Sequence, residues 1–397
     1  MSVHEIKQLI TQQKGSIMST KEILVVGAGL SGCTAARLLA EKGYTVTVLE
    51  KRNTVGGNLY DYIDENGIRV QLYGPHIFHK SEKAVFDFLS RFTEWTKYEH
   101  KVLANIKGTL VPVPFNMTSL FKLYPQDEAE TIKDILYREV GVDKKVPILT
   151  LKQHSDSRVR EFANFVYENI FYTYTKKQWG FKPEELGESV MNRVPVYVSY
   201  EDRYFTDTYQ FQPKDGFTPM IEKMLDHENI SVQLSTDAMS LISIENNTVY
   251  YEGKPFDGKV IFTGKIDDLF KEKYGALAYR SLRFEFETHD TSSYQPAAVV
   301  NYTTTEDFTR ISEFSKFACE PQEKTVIVKE YSKNCEAGDI PYYPIPKDGP
   351  RADYEKYLKD VQKIKSLYLL GRLANYKYIN MDIAVLNAIN LVADIIK

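Results

Sequence analysis

The chain has few of the residues that identify disulfide-bonded, metal-binding or membrane-spanning proteins. Only three of its 397 residues are cysteine (Cys33, Cys319 and Cys335), and their spacing fits neither a disulfide framework nor a metal site. No apolar run approaches the roughly 18 residues of a transmembrane helix. Residues 1–20 lack the apolar core of a secretory signal, so we interpret them as a polar N-terminal extension, with Met18 as a second possible start. These features predict a cytoplasmic protein.

Strong net charge is also missing. The formal net charge is −4, which gives no reason to expect nucleic acid or an anionic membrane as partner. Tryptophan is rare, with 2 residues against 28 tyrosines and 21 phenylalanines. Tyrosine offers a flat apolar face and a hydroxyl, which suits nucleobases and sugars. A chain of this length can form two or three domains.

One short unit near the N-terminus combines two strands, a glycine-rich turn and a helix. An apolar run at 23–26 leads into Gly27-Ala28-Gly29-Leu30-Ser31-Gly32, and helical spacing then continues to Gly43. A β-branched strand follows at 45–49 and ends on Glu50. Among these residues, Gly27 permits the tight turn, Gly29 lets the backbone approach a pyrophosphate, and Gly32 lets helix and strand pack closely.

This unit predicts a dinucleotide-binding site. The pyrophosphate would lie at the helix N-terminus, where the free N–H groups of residues such as Leu30 and Ser31 favour an anion. Glu50 would accept hydrogen bonds from the adenosine ribose. The following segment, Lys51 to Asn58 with Gly57 in its Gly-Gly pair, resembles the second glycine motif of FAD-binding proteins of the amine-oxidase-like group, which favours FAD over NAD.

The order of patterns predicts an α/β fold with three parts. An FAD-binding Rossmann-like domain would be assembled from 21–83, 212–277 and 336–397. A helical insertion domain would span 84–190, broken by Pro112 and Pro114, which fit only an edge strand or a loop. Period-two alternation predicts an antiparallel β-sheet domain from 191–211 and 278–335.

Ten separated motifs, in order, resemble the bacterial UDP-galactopyranose mutases from about Lys21 to the C-terminus. They are GAGLSG at 27–32, GPHIFH at 74–79, YTKKQWG at 174–180, RVP at 193–195, EDRYF at 201–205, FTGKID at 262–267, YRSLRFE at 279–285, EY at 330–331, PYYPIP at 341–346 and GRLANYKY at 371–378.

The resemblance implies an isomerase that interconverts UDP-galactopyranose and UDP-galactofuranose, as in galactofuranose biosynthesis for cell-surface polysaccharide. It also implies that FAD must be reduced, that a covalent adduct forms between flavin N5 and the sugar, and that no net redox change occurs. A homodimer is expected on the same grounds. No metal is implied, and the chain shows no convincing Ser-His-Asp or Cys-His arrangement.

The same resemblance assigns roles to individual residues. Arg193 and Arg280 match two arginines that clamp the diphosphate, and His76 matches the histidine beside the flavin; these three are the expected catalytic residues. The remaining substrate residues implied by the matched motifs are Tyr174, Thr175 and Trp179 for uridine, and Tyr204, Tyr331 and Tyr378 for the diphosphate. The expected cofactor-binding residues are Gly27, Gly29, Leu30, Ser31, Gly32, Glu50, Lys51, Gly57, Asn58, His76, Gly264, Arg372, Tyr378 and Met381.

Two positions depart from the family pattern, and several alternatives stay open. Asn380 stands where several relatives have Asp, and Lys265 stands where relatives often have Pro. UDP-N-acetylgalactosamine is an alternative substrate for the same mechanism. Because the FAD motifs are shared, an amine-oxidase-like FAD oxidoreductase is a second alternative, and a non-catalytic nucleotide-sugar binding protein is a third.

Overall fold

A five-stranded parallel sheet forms the centre of the nucleotide-binding part of the computed structural model, which describes residues 21–80, 82–186, 195–317 and 322–397. Its strands are short, apolar and buried, as parallel strands covered on both faces must be. In spatial order they are Ile230–Gln233, Thr45–Leu49, Glu22–Val26, Lys259–Phe262 and Leu367–Leu369. The two strands of the predicted dinucleotide-binding unit, 22–26 and 45–49, are neighbours and pair in parallel.

Helices cover both faces of this sheet. On one face the apolar sides of Leu30–Ala40, Phe217–Leu225, Met381–Ile395 and Lys83–Leu89 share a core with the strands. On the other face lie the helices Ile266–Leu269 and Asp348–Val361 and a small sheet of Ile242–Glu245, Thr248–Tyr251 and Lys254–Pro255. The chain therefore builds the predicted α/β layer from three separated segments.

A seven-stranded sheet forms the second layer. In spatial order its strands are Tyr343–Pro344, Tyr279–His289, Thr325–Asn334, Arg310–Glu313, Val299–Tyr302, Val102–Ile106 and Thr109–Val113. All neighbouring pairs are antiparallel except Val299–Tyr302 with Val102–Ile106. Thr109–Val113 is an edge strand, in agreement with the expectation from Pro112, which cannot donate a backbone hydrogen bond.

The helical region lies between the two layers in sequence. Its helices are Met117–Leu123, Gln126–Glu139, Ile148–Leu151 and Ser157–Val166, followed by a π-helical stretch Tyr167–Tyr172 and the helix Thr173–Trp179. Gly180 ends the last helix with φ +76°, the left-handed conformation that glycine adopts most easily. Asn116 caps Met117–Leu123, because its side chain accepts a hydrogen bond from Ser119 N.

The predicted domain boundaries need three corrections. Strands 102–106 and 109–113 were assigned to the helical domain, but they extend the seven-stranded sheet. Their partner strand begins at Val299, nearly two hundred residues away in sequence, and no local pattern encodes that pairing. Helix Lys83–Leu89, also assigned to the helical domain, packs in the nucleotide-binding core.

The segment 191–211 was predicted to belong to the antiparallel sheet domain. In its described part, 195–211, it contributes no strand to the seven-stranded sheet. Val196–Tyr197 pairs with Lys145–Val146, and Tyr209–Pro213 lies between Phe78–Lys80 and Trp95–Lys97 in a separate three-stranded sheet. The remaining pair of strands is Asp61–Ile63 with Arg69–Gln71. None of the helices in the described ranges is both long enough and apolar enough to span a bilayer.

Candidate active site

The glycine-rich turn forms a cradle beside the first helix. Helix Leu30–Ala40 starts after Gly29 without a side-chain cap from the described residues, so the N–H groups of its first turn face outward unpaired by the helix. Gly57 approaches Gly29 so closely that a Cβ atom on Gly57 would lie 3.0 Å from the Cα of Gly29. The two glycine motifs are therefore in contact, and only residues without side chains leave the space between them open.

Glu50 is fixed at the end of the second strand. Its Oε2 accepts a hydrogen bond from Ala28 N at 2.8 Å, and its Oε1 accepts one from Arg52 N at 2.9 Å. The residue is buried, with 6% of its surface exposed. Arg52 Nη2 also donates to Asn58 Oδ1 at 2.9 Å, so the carboxylate and the second glycine motif are linked.

A cavity of about 1060 Å³ opens where the nucleotide-binding layer, the helical region and the seven-stranded sheet meet. It exceeds the upper end of the usual range for single-ligand pockets, so it has room for more than one group. The predicted site residues that line it are His76, Tyr174, Thr175, Trp179, Tyr204, Arg372, Tyr378 and Met381. Arg280 and Tyr331 are not among its lining residues, and Arg193 lies outside the described residues.

One wall comes from the end of the helical region. Tyr174, Thr175 and Trp179 lie on the helix Thr173–Trp179, and the π-helical stretch before it adds Ile170 and Phe171. π-helical turns change the direction of side chains relative to a regular helix and recur at functional sites. Burial raises the pKa of Tyr174, so its hydroxyl stays protonated and can donate a hydrogen bond.

Another wall contains an ion pair with a buried carboxylate, which the sequence analysis did not identify. Arg310 and Glu330 are paired across neighbouring antiparallel strands, and Arg310 Nε and Nη2 donate to Glu330 Oε2 at 2.9 and 2.7 Å. Glu330 is 1% exposed. Burial alone would lower the pKa of Arg310, but the Glu330 carboxylate raises it, so the guanidinium remains charged and faces the cavity.

A third wall joins the C-terminal segment to the sheet. Arg372 donates to the backbone oxygens of Ile379 at 2.7 Å and Tyr342 at 3.2 Å. Its guanidinium lies over the ring of Tyr378, 4.6 Å from the centroid, and Tyr378 in turn stacks on Tyr343 with ring centroids 5.7 Å apart. This arrangement presents two phenol hydroxyls and a cation to the same space.

His76 lies at the tip of the predicted turn with its ring on the cavity. Its Nδ1 is 2.9 Å from the Gly74 carbonyl oxygen, which can only accept, so Nδ1 carries the proton. Burial, reinforced by the charges of Arg372 and Arg310, lowers the pKa of His76 to about 4. The ring is neutral near pH 7, and Nε2 is then a hydrogen-bond acceptor.

Two further histidines line the same cavity. His79 stacks on Phe205 with ring centroids 3.5 Å apart, and its Nδ1 lies 2.9 Å from Asp207 Oδ2. His100 is 4% exposed, and its ring centroid lies 5.8 Å from that of Phe205. Burial, with smaller contributions from Arg310 and His79, lowers the pKa of His100 to about 3.

Sequence reasoning missed several cavity residues, and the signals available for them differ. Tyr343 lies within the PYYPIP motif, so the motif itself could have suggested it. Gln178 likewise lies within the YTKKQWG motif. Arg310 and Asn301 carried no comparable local signal, since each faces the cavity through the register of a strand that the alternation pattern left ambiguous.

Comparison with known proteins shows the family to which the whole chain is related. The family model described as UDP-galactopyranose mutase matches residues 169–378, and a model described as an NAD(P)-binding Rossmann-like domain matches 25–92. A probable UDP-galactopyranose mutase of Klebsiella pneumoniae is 36% identical over 375 residues, which covers 94% of each chain. The chain belongs to the UDP-galactopyranose mutase family.

Two further relatives of this family member are informative. A dTDP-fucopyranose mutase of Escherichia coli is 33% identical over 374 residues, covering 93% of this chain and 96% of the relative. A crystal structure of reduced UDP-galactopyranose mutase shares the fold, with a TM-score of 0.71 at 18% identity over 94% of this chain and 93% of that one. The present chain is therefore an isomerase with an α/β Rossmann-like fold, and its cofactor is FAD.

The residues present fit that cofactor. The uncapped helix N-terminus can bind a pyrophosphate, and the Gly29–Gly57 approach leaves a space that a Cβ atom would fill. Glu50 holds its carboxylate at the end of the second strand, where an acidic residue in this fold accepts hydrogen bonds from the adenosine ribose. The predicted cofactor residues therefore form two groups, the cradle (Gly27, Gly29, Leu30, Ser31, Gly32, Glu50, Lys51, Gly57, Asn58 and Gly264) and the cavity wall (His76, Arg372, Tyr378 and Met381).

Proposed function

We propose that this enzyme interconverts UDP-galactopyranose and UDP-galactofuranose. The single observation that carries the proposal is Arg310, a guanidinium that is mostly buried, is paired with Glu330 and lines the same cavity as Tyr174 and Trp179. A sugar nucleotide has a planar base at one end and a diphosphate in the middle, so it needs both an aromatic wall and a cation. Both are present in the cavity.

In this proposal the cations hold the diphosphate throughout the reaction. Ring contraction requires UDP to leave the anomeric carbon and return to it, so the leaving group must stay bound between the two steps. Guanidinium groups suit this because their planar N–H groups match phosphate oxygens. Arg310 is held in place by Glu330, and Tyr343, Tyr378 and Tyr204 line the same space with hydroxyl donors.

Reduced FAD, when bound, would supply the nucleophile for the anomeric carbon. The chain's own part is to orient the sugar and to keep the site's charges fixed. Neutral His76 would act as an acceptor through Nε2 beside the flavin, because its proton is committed to Gly74 O. Catalysis would then come mainly from electrostatic holding and orientation.

The predicted roles of Arg193 and Tyr331 stay part of the proposal with different support. Arg280 is poorly placed to bind a diphosphate, because its N–H groups donate to protein acceptors at the end of the helix Thr173–Trp179. Arg193 retains its assignment as a diphosphate clamp on the motif alone. Tyr331 donates to Glu285 Oε2 at 2.7 Å and lies under the guanidinium of Arg283, 3.9 Å from its ring centroid. Direct contact of Tyr331 with substrate would require it to leave that surface arrangement, so Tyr343 is the better supported tyrosine.

The E. coli relative favours a second candidate, a mutase that acts on dTDP-fucopyranose. That substrate differs by a deoxyribose, a base methyl group and the absence of the sugar 6-hydroxyl. The two relatives are 36% and 33% identical to this chain, so overall similarity does not separate the two activities. UDP-N-acetylgalactosamine remains a third substrate to test.

One experiment separates these activities. The purified enzyme is incubated with UDP-galactofuranose, with dTDP-fucofuranose and with the N-acetyl analogue, with and without dithionite, and the products are separated by chromatography. We expect conversion of UDP-galactofuranose to UDP-galactopyranose only under reducing conditions. Conversion of dTDP-fucofuranose alone would replace the first proposal by the second, and equal rates with oxidised flavin would contradict both.

We also propose that the enzyme acts in the cytoplasm as a homodimer. The family resemblance supports both, and sugar nucleotides and reduced flavin are cytoplasmic reagents. Light scattering at several protein concentrations gives the oligomeric state, and a mass equal to one chain at micromolar concentration would contradict the dimer.

A further inference from the structure

Two buried glutamines hold the backbone of His76. Gln71 Oε1 accepts a hydrogen bond from His76 N, and Gln71 Nε2 donates to His76 O at 3.3 Å. Gln212 Nε2 donates to the same carbonyl oxygen at 2.9 Å. Gln71 is 4% exposed and Gln212 is 7% exposed. Because a backbone N–H can only donate and a carbonyl oxygen can only accept, His76 also fixes the orientation of the Gln71 amide.

This way of holding a turn differs from the usual one. Backbone groups pair mostly with other backbone groups, whereas the hydrogen bonds of both His76 backbone groups go to side chains in the part of the chain that the structure describes. Gln71 ends the strand Arg69–Gln71, and Gln212 lies in the strand Tyr209–Pro213 of a separate sheet. The conformation of the turn therefore depends on two side chains from strands that are distant in the sequence.

The backbone of the turn also sets the direction of the histidine ring. The ring is bonded through Nδ1 to Gly74 O, which belongs to the same turn. His76 is thus restrained at three points, its backbone N–H, its backbone carbonyl and its ring Nδ1, while the ring lines the large cavity. Loss of either glutamine amide would loosen the turn without changing the chemistry of the ring itself.

A smaller cavity of about 160 Å³ lies behind the turn. Gln71 and Gln212 both line this cavity, and neither is among the residues that line the large one. The glutamines can therefore affect the large cavity only through the residues that they hold. Truncation of either side chain would enlarge the smaller cavity and let water enter. Methionine is the better replacement, because it keeps the length of glutamine and removes the amide.

We propose that Gln71 and Gln212 are positioning residues that hold His76 in the orientation the reaction requires. The inference rests on the proposed function, because it takes the role of His76 beside the flavin from there. A group that orients a reacting centre, and makes no contact with the nucleotide, should affect kcat and leave nucleotide affinity unchanged.

The test is a double-mutant cycle on the FAD-loaded enzyme. Gln71→Met and Gln212→Met are each made in the unmodified protein and in His76→Ala, and kcat, the Kd of UDP and the reduction potential of bound FAD are measured. In the unmodified protein each variant should lower kcat about tenfold and change the Kd of UDP by less than about twofold. In His76→Ala neither should lower kcat further, because the residue that they position is gone.

The reduction potential of the bound flavin gives a readout that does not depend on turnover. Both glutamine variants should shift it in the direction in which His76→Ala shifts it, by a smaller amount, and should not shift it further in His76→Ala. If Gln71→Met is poorly folded by circular dichroism, Gln212→Met and Gln71→Glu decide the question. Glutamate at position 71 can still accept from His76 N, but its carboxylate cannot donate to His76 O.

Gln295→Met is the matched control. Gln295 is also buried, with 7% of its surface exposed, and its Nε2 donates to the backbone oxygens of Ala297 at 2.9 Å and Ile311 at 3.1 Å. It holds backbone in the same way but has no contact with His76 among those that the structure describes. The control should leave kcat and the reduction potential unchanged.

The outcomes separate the inference from the function on which it rests. Unchanged kcat in both glutamine variants overturns the positioning role, and so does an equal loss of kcat in the presence and absence of the His76 ring. Conversion of dTDP-fucofuranose in place of UDP-galactofuranose replaces the substrate, and the same cycle is then run with that compound. If the unmodified protein converts neither, the proposed function fails, and the cycle in reduction potential alone decides whether the glutamines position His76.

Discussion

At the scale of single residues, the cavity depends on a buried carboxylate and on the guanidinium that balances its charge. These groups belong to Glu330 and Arg310, and two hydrogen bonds join them on adjacent strands. Removing one member of a buried pair leaves an uncompensated charge, whereas removing both is often tolerated. The pair therefore allows stability and function to be measured separately.

Arg310→Met should lower the free energy of unfolding by about 3–5 kcal/mol, because Glu330 would lose its counter-charge. The double variant Arg310→Met/Glu330→Gln should recover most of that stability and still lack turnover, since the cation for the diphosphate is gone. Urea unfolding and a turnover assay on the same samples measure both effects. A double variant with near-normal turnover would remove Arg310 from the mechanism.

His100 gives a prediction of pH dependence. Its pKa is lowered to about 3 in the folded protein, against about 6.5 in an unfolded chain. Between these values the unfolded state binds a proton that the folded state does not, so stability falls as the pH falls. His100 should contribute a slope of up to about 1.36 kcal/mol per pH unit in this window.

The variant His100→Phe keeps a flat ring beside Phe205 and removes the titration. We expect its free energy of unfolding to depend less steeply on pH between 4 and 6 than that of the unmodified protein, by the slope of one proton. Urea unfolding at four pH values measures this. Equal slopes for the two proteins would show that the folded His100 titrates normally.

At the scale of elements, the strand, turn and helix of 22–40 were predictable because their determinants are local. Helix spacing, the glycine turn and the β-branched strand all act over a few residues. The contact of the first glycine motif with Gly57 is also encoded by residue type, since no residue with a side chain fits there. The pairing of 102–113 with 299–302 depends on the whole chain, and for this reason the predicted domain boundary failed there.

The close approach of the two glycine motifs gives a prediction at this scale. Gly57→Ala would place a Cβ atom 3.0 Å from Gly29 Cα, and it should weaken FAD binding by at least tenfold. Gly67→Ala is the matched control, because Gly67 also has positive φ but no atom within 4 Å of the added Cβ. The ratio of flavin to protein absorbance after dialysis compares them. Equal retention of FAD in the two variants would contradict the predicted contact.

At the scale of the whole molecule, a negative protein surrounds a positively charged cavity. The net charge is −4, but Arg372, Lys145 and Lys377 line the cavity, together with Arg310, whose charge is balanced by Glu330. Asp382, also on the lining, is neutralised by Lys80 at 2.8 Å. Such a distribution attracts an anionic ligand at short range, and salt screens this attraction.

We therefore expect the dissociation constant of UDP to rise with ionic strength between 0.01 and 0.15 M, as the Debye length falls from about 30 to about 8 Å. The combined variant Lys145→Gln/Lys377→Gln should show a shallower dependence. Uridine, which has no phosphate, serves as the control and should bind equally across this range. A UDP affinity that does not change with salt would show that the cavity charges act only in direct contact.

Sequence by itself determined the cofactor cradle, the α/β class and the family, because glycines, β-branched strands and short motifs are constrained by neighbours in the chain. It also identified the aromatic wall of Tyr174 and Trp179 through a continuous motif. Only the tertiary structure decided which charged side chains face the cavity. Arg280 and Arg310 are both arginines on strands of one sheet, and strand register turns the first toward the helix end and the second toward the cavity.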